Sequence, residues 1–575
     1  MAQRTVCSIL LAILLALLFA ANVAAHAILV QSTPAAGSTV ATAPPELVLE
    51  FTEELDPQFS SVQLLNSARQ VVNSGPGRVE PAAPRILRLT LQSLQQDSYI
   101  AVFKARSAVD GHITAGNVPF GIGVPSAAAL IPPADAPDPA TLPPPLVGSV
   151  LRWLNLLAAA VALGSVPFVL LIWRPAFRSA PRDGADHLAA DAAMTQSLRR
   201  LMVGGSALFL LATLVFLVAQ AAEAAGVPFA QAIGAPAMQL MQGRSGQFLL
   251  ARGICALALG LLAWRLRAAG QGPAWPWLAA LVLTGAALLT FSLTGHNAAA
   301  SQGAFVAVAI DWLHLAAMAA WLGGLVPLVI AVRAARRTPK QALALGPVAA
   351  RFSRLAMTCV ALLTATGIYS YMLQVNNLDL LAATTYGRAL AVKLGLFGLL
   401  ILLGVLNARI LVPRLRALGN RLAGAFGWSV RAELIVGALV LLAVGVMTSI
   451  APSVVSWEQH ERLGVVQATT VDDVDLTLRV APAQIGDNEF AVDVADKRPG
   501  AAGKPAKVLL RFDMIGMAMG QLQTEARPTG AERYVARGSF VPMGGRWHMT
   551  VVLRRAGFAD VQHTFEMDIL RAAGG

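Results

Sequence analysis

The sequence predicts a mixed membrane protein in three folded parts: an N-terminal Ig-like β-sandwich, an eight-helix transmembrane bundle and a C-terminal exported β-sandwich. Three observations carry this prediction. The 575-residue chain is 56% hydrophobic and 13% charged, with a mean hydropathy of +0.61, against about 25% charged in a soluble domain. Eight apolar runs between positions 148 and 450 are each long enough to cross a bilayer. Both ends carry instead short β-rich segments separated by Pro, Gly, Asn and Asp.

The first 25 residues read as an export signal. Arg4 supplies a positive n-region, and residues 8–21 form an apolar stretch too short to span comfortably. Two small-residue cleavage patterns overlap, Val23-Ala24-Ala25 and Ala25-His26-Ala27. Cutting after Ala25 makes His26 the new N-terminus; cutting after Ala27 removes it.

Residues 26–124 form the first β-domain, with strands expected at 47–51, 61–65, 86–91 and 99–105. Residues 125–147 are rich in Pro and Ala and read as a stiff linker. The membrane domain takes 148–455, with spans near 148–173, 200–222, 247–264, 275–294, 304–332, 353–373, 389–412 and 432–450. Residues 456–575 return to β-pattern, with strands expected at 475–480, 489–494, 508–512, 533–540, 547–553 and 562–567.

The formal net charge of +12 does not point to nucleic acid. The excess sits in alternate short loops, around Arg178, Arg265, Arg336 and Arg414, while the loops at 223–246, 295–303 and 374–388 are nearly free of Lys and Arg. The positive-inside rule puts the basic loops in the cytoplasm and both ends of the bundle outside. That agrees with an export signal delivering the first domain to the same side. The three cysteines, Cys7, Cys255 and Cys359, all lie in apolar segments. Disulfides and thiolate metal sites are therefore not expected in either exported domain.

The chemistry-bearing residues of the first domain are His26, Asp110 and His112. An amine, two imidazoles and a carboxylate make a tetragonal N/O set suited to Cu(II). If the segment is extended, period-2 geometry puts Asp110 and His112 on one side. The alternative is a processed terminal His without a role and a loop His bonded locally. The strings His26-Ala27, Ser32-Thr33-Pro34-Ala35-Ala36-Gly37-Ser38, Leu49-Glu50-Phe51-Thr52 and Val109-Asp110-Gly111-His112-Ile113-Thr114-Ala115-Gly116 resemble the CopC family of periplasmic copper-binding proteins. The resemblance implies a Cu(II) site made by His26, Asp110 and His112.

In the fifth span Asp311, His314 and Met318 stand at i, i+3 and i+7, on one helical face. At ~1.5 Å per residue His314 lies roughly 15 Å deep. His296 stands at the outer end of the fourth span. Together these residues read either as a stepwise copper path or as packing glue between helices; Lys393 either pairs with Asp311 or snorkels. Leu293-Thr294-Gly295-His296, Asp311-Trp312-Leu313-His314-Leu315, Trp321-Leu322-Gly323-Gly324-Leu325, Arg351-Phe352-Ser353-Arg354, Thr366-Gly367, Tyr386-Gly387-Arg388 with Lys393, and Arg431-Ala432-Glu433-Leu434 are similar to the CopD family of copper-resistance membrane proteins. That resemblance implies copper movement, usually uptake, across a bacterial inner membrane. The expected partners are copper, the lipid bilayer and periplasmic copper chaperones.

In the last domain Met514, Met517, Met519, Met543 and His548 offer either a thioether-rich Cu(I) site or a Met-filled core. The segment resembles YtkA-like exported modules. No nucleotide-phosphate motif occurs in the sequence, so the expected function is transport rather than catalysis. A copper-dependent redox enzyme and a haem or quinone membrane protein are the alternatives.

Overall fold

A computed structural model of the chain describes residues 27–35, 38–73, 75–124, 143–178, 185–265, 275–299, 303–337, 345–457, 465–472, 474–481, 483, 485–496, 507–516, 521–528, 532–555 and 559–569. The export signal, His26, most of the Pro/Ala-rich linker, Met517 and Met519 lie outside the described residues.

The first domain is a sandwich of two four-stranded sheets. One runs in the order Leu29–Thr33, Glu46–Phe51, Ile86–Thr90, Arg78–Val79; the other Thr39–Val40, Ile113–Ile122, Asp97–Arg106, Ser61–Leu65. Strict alternation in Glu46–Phe51 turns Leu47, Leu49 and Phe51 inward. They meet Phe103 and Phe120 from the facing sheet.

Among the described residues, eight helices are long and apolar enough to cross a membrane: Leu146–Phe177, Asp191–Ala225, Arg244–Arg265, Trp275–Ser292, Ala304–Arg336, Leu345–Gln374, Thr385–Leu418 and Ala423–Met447. Several run well beyond the apolar runs that mark them in sequence, because helices continue through Ala- and Arg-rich flanks that hydropathy does not score. The first and fifth spans pack backbone to backbone. A Cβ on Gly164 would lie 2.4 Å from the Ala319 carbonyl oxygen, and one on Gly323 2.0 Å from that of Ala160. This small-residue contact gives the Gly323-Gly324 motif a physical reason.

The sandwich sits on the bundle at the ends away from the basic loops. Phe59 packs with Phe216 and Leu217 of the second span. Lys104 Nζ donates to the Ala224 carbonyl at 2.6 Å, and Arg106 reaches Ser245 Oγ at 3.4 Å.

The C-terminal domain is an eight-stranded sheet ordered Val561–Ile569, Gly545–Arg554, Lys507–Met514, Leu522–Pro528, Arg533–Val541, Gly486–Asp496, Val474–Ala481, Val465–Val471. It folds over on itself into a barrel-like sandwich around Phe490, Phe512, Trp547 and Phe565. Leu522–Pro528 makes the corner, pairing with Lys507–Met514 from Leu522 to Ala526 and with Arg533–Val541 through Arg527 and Pro528. Gln467 Nε2 donates to the Glu566 carbonyl at 2.7 Å, tying the first strand to the last. The strands at Val465–Val471 and Leu522–Pro528 add to the six expected. They are an edge strand that is half-buried along its length and a corner strand that is largely exposed, and neither shows the clean alternation that marks a strand with one buried face.

Candidate metal centre

The loop between strands Asp97–Arg106 and Ile113–Ile122 carries Asp110 and His112. Ser107 wires it. Its hydroxyl donates to Glu53 Oε2 at 2.6 Å and accepts from the Val109 and Asp110 amides, while its own amide donates to the His112 carbonyl at 2.9 Å. The segment is a turn, not the extended piece that period-2 geometry requires. Gly111 adopts φ +77°, and a Cβ there would lie 2.8 Å from the Arg106 guanidinium. The turn folds Asp110 back so that Oδ1 accepts from the His112 amide at 3.1 Å and Oδ2 lies 3.2 Å from His112 Nδ1. Arg106, 1% exposed and bonded to Asp56 Oδ2 at 2.6 Å, buttresses the turn from below.

His296 enters the same cluster from the short helical turn His296–Ala299 that follows the fourth span. Its Nδ1 lies 3.2 Å from Asp110 Oδ2, and its ring stacks on His112 with centroids 5.0 Å apart. Sequence reasoning placed His296 on a membrane path apart from the sandwich site; the fold joins the two. No sequence signal links them, because the contact exists only once the sandwich is seated on the bundle. Burial pushes the His296 imidazole below the ordinary histidine range, against the opposing pull of its hydrogen bond to Asp110. The neutral form is the one that ligates metal.

Asp110, His112 and His296 each offer one ligand atom, all within 4.8 Å of one another. Ligands on opposite sides of a first-row ion, each at about 2 Å, stand about 4 Å apart. The cluster therefore closes on an ion with shifts under about 1 Å, and its N/O donor set fits Cu(II). Ile28 and Ala108 hydrogen-bond to Thr52 and Glu54 of the same strand end, so the chain enters the sandwich beside the loop that carries Asp110.

Below the cluster runs a cavity of about 590 Å³. Asp311, His314, Met318 and Lys393 line it together, as the shared helical face of the first three requires. His314 Nδ1 lies 2.8 Å from Thr366 Oγ1, which accounts for the Thr366-Gly367 motif. Lys393 and Asp311 interact electrostatically across the cavity. Asn297 accepts from Gln374 at 2.9 Å, and Gln374 accepts from the Tyr386 hydroxyl, so the turn bearing His296 is braced by the sixth and seventh spans.

Among the described residues of the C-terminal cluster, Met514 and His548 lie on opposite faces. Met514 pairs in register with the buried Trp547 and packs against the core. His548, one residue on, faces outward and lies 3.3 Å from Glu566. Strand alternation separates the two. Met543 offers its carbonyl to Trp547 Nε1 at 3.0 Å.

Comparison with known proteins agrees with this division. Residues 29–123 match the CopC domain, 144–307 the copper resistance protein D-like N-terminal domain, and 346–447 copper resistance protein D. The chain is 26% identical over 552 residues to the copper transport protein CutJ of Bacillus subtilis, covering 94% of this chain and 95% of that protein. It is 30% identical over 180 residues to copper resistance protein D of Pseudomonas syringae pv. tomato, covering 30% of this chain and 58% of that protein. The crystal structure of CopC from Methylosinus trichosporium OB3b is 32% identical, covering 17% of this chain and 93% of that one, with a TM-score of 0.16. The chain thus joins in one polypeptide a CopC domain and segments matching both parts of copper resistance protein D, and is similar over most of its length to a copper transport protein.

Proposed function

We propose that the protein captures periplasmic Cu(II) at a site shared by its two domains and passes copper inward across the inner membrane. Asp110 and His112 of the sandwich, with His26 supplying its imidazole and a free amine, hold the ion first. His296 of the membrane domain completes the set. Copper then descends the cavity past His314, Met318 and Asp311, whose imidazole, thioether and carboxylate offer it successive ligands. The observation that carries this reading is the single carboxylate of Asp110 lying 3.2 Å from both His112 and His296. A capture site that already contains a ligand from the transport domain needs no separate docking step for hand-over. The relatives' names, copper transport protein and copper resistance protein D, support the cargo.

Uptake of radioactive copper by cells carrying the wild-type chain or the His296→Ala variant tests the proposal. The expected result is faster accumulation with the wild-type chain and none above background with the variant. Equal accumulation in both, or export by the wild-type chain, overturns it.

A further inference from the structure

The cavity wall beside the metal cluster contains two arginines that the copper path does not use. Arg152 stands six residues into the first span and Arg252 eight residues into the third. At ~1.5 Å per residue both lie in the outer half of the bundle. They line the same cavity as Asp110, His112 and His296.

Their surroundings differ. Arg252 is 2% exposed and nearly saturated. Its Nε donates to Thr290 Oγ1 at 3.0 Å, its terminal nitrogens reach the Thr290 carbonyl, Thr294 Oγ1 and Asn155 Oδ1, and its guanidinium lies 3.5 Å from the centre of the Phe291 ring. It is fixed in place with one N–H to spare. Arg152 lies over Phe216 at 5.2 Å, and its buried Nε donates to no acceptor among the described residues. Asp110 and Glu223 attract Arg152 from a distance, yet among the described residues no carboxylate lies within 4.0 Å of either guanidinium.

Two guanidiniums stand in one cavity wall, and Glu223 and Asp110 attract Arg152 only from beyond 4.0 Å, so an anion in direct contact with the fork has room and a charge to meet. Asp110 is already shared between two imidazoles. A divalent cation arriving at that cluster adds to the positive charge. A planar guanidinium with free N–H groups is the preferred partner of a planar carboxylate.

We propose that Arg152, with Arg252 held beside it, forms a binding site for a small monocarboxylate in the cavity wall, next to the metal cluster. The carboxylate neutralises the arginine pair and stands where it can serve as counter-ion to the metal. That second role rests on the copper reading of the cluster; the anion site itself does not.

The full chain, in detergent and free of metal, is titrated with sodium acetate by calorimetry. One saturable site is expected in the wild-type protein. Charge-assisted hydrogen bonds make its loss in Arg152→Gln about tenfold or more in affinity. Arg152→Lys, which keeps the charge and loses the fork, falls between the two. The His112→Ala/His296→Ala double variant, unable to hold copper at the cluster, keeps acetate binding. Loading the wild-type protein with Cu(II) tightens acetate binding, the sign expected of an anion that serves as counter-ion to the metal. No saturable acetate binding in wild-type protein, or equal affinity in Arg152→Gln and wild type, overturns the proposal. Loss of binding in the double variant alone overturns it as well, since the anion is then held by the metal cluster.

Discussion

His112 of the sandwich and His296 of the membrane domain stack face to face, ring centroids 5.0 Å apart and planes inclined by 29°. Both rings approach the same carboxylate oxygen of Asp110. The two domains therefore share one cluster.

The first prediction follows from that sharing. In the full chain, His296→Ala weakens Cu(II) binding by about tenfold or more, since even outer partners of metal ligands are worth about 10–100-fold. Competition titration against a chelator measures it. An unchanged affinity removes His296 from the site.

The second concerns His314. Its hydrogen bond to Thr366 is compatible with packing glue. Such bonds in membranes average only about 0.6 kcal/mol. His314→Asn keeps a hydrogen-bonding group but is a poor copper ligand. Copper transport by the Asn variant is expected to match that of His314→Ala, at background. Near wild-type transport by the Asn variant assigns His314 to packing.

The third is structural. Gly323→Val forces a side chain into the Ala160 backbone and separates the first and fifth spans. Overpacking costs about 1–3 kcal/mol even where side chains can yield, and backbone yields less. Thermal unfolding in detergent is expected at a clearly lower temperature than wild type. Gly204→Val, on an open surface of the second span, leaves it unchanged. Equal melting of all three proteins contradicts the backbone contact.

The fourth is topological. In a chain stripped of its native cysteines, a cysteine at Leu378, 72% exposed beyond the sixth span, reacts with an impermeant thiol reagent from the periplasm. One at Arg336 does not. The reverse pattern rejects the orientation drawn from the basic loops.

Much of the architecture was legible in the sequence because one physical variable marks it. Apolar length identifies the eight spans, and alternation identifies strands such as Glu46–Phe51 that have one buried face. Edge strands such as Val465–Val471 escape that test. The candidate site was only partly legible. Asp110 and His112 are neighbours in sequence, but the left-handed Gly111 turn that unites them leaves no periodic trace. His296 is a tertiary arrival. Nothing in the sequence singles out Arg152 and Arg252, which only the cavity puts in one wall with the cluster. Met514 and His548 look adjacent as a pattern, and strand alternation then puts them on opposite faces.

His296 reaches across the domain boundary to Asp110 and His112. Pulsed electron paramagnetic resonance of the Cu(II)-loaded full chain, with and without His296→Ala, counts the imidazoles bound to the ion. The expected result is one fewer imidazole coupling in the variant, with the remaining signals intact. An identical imidazole count in the two proteins contradicts the account.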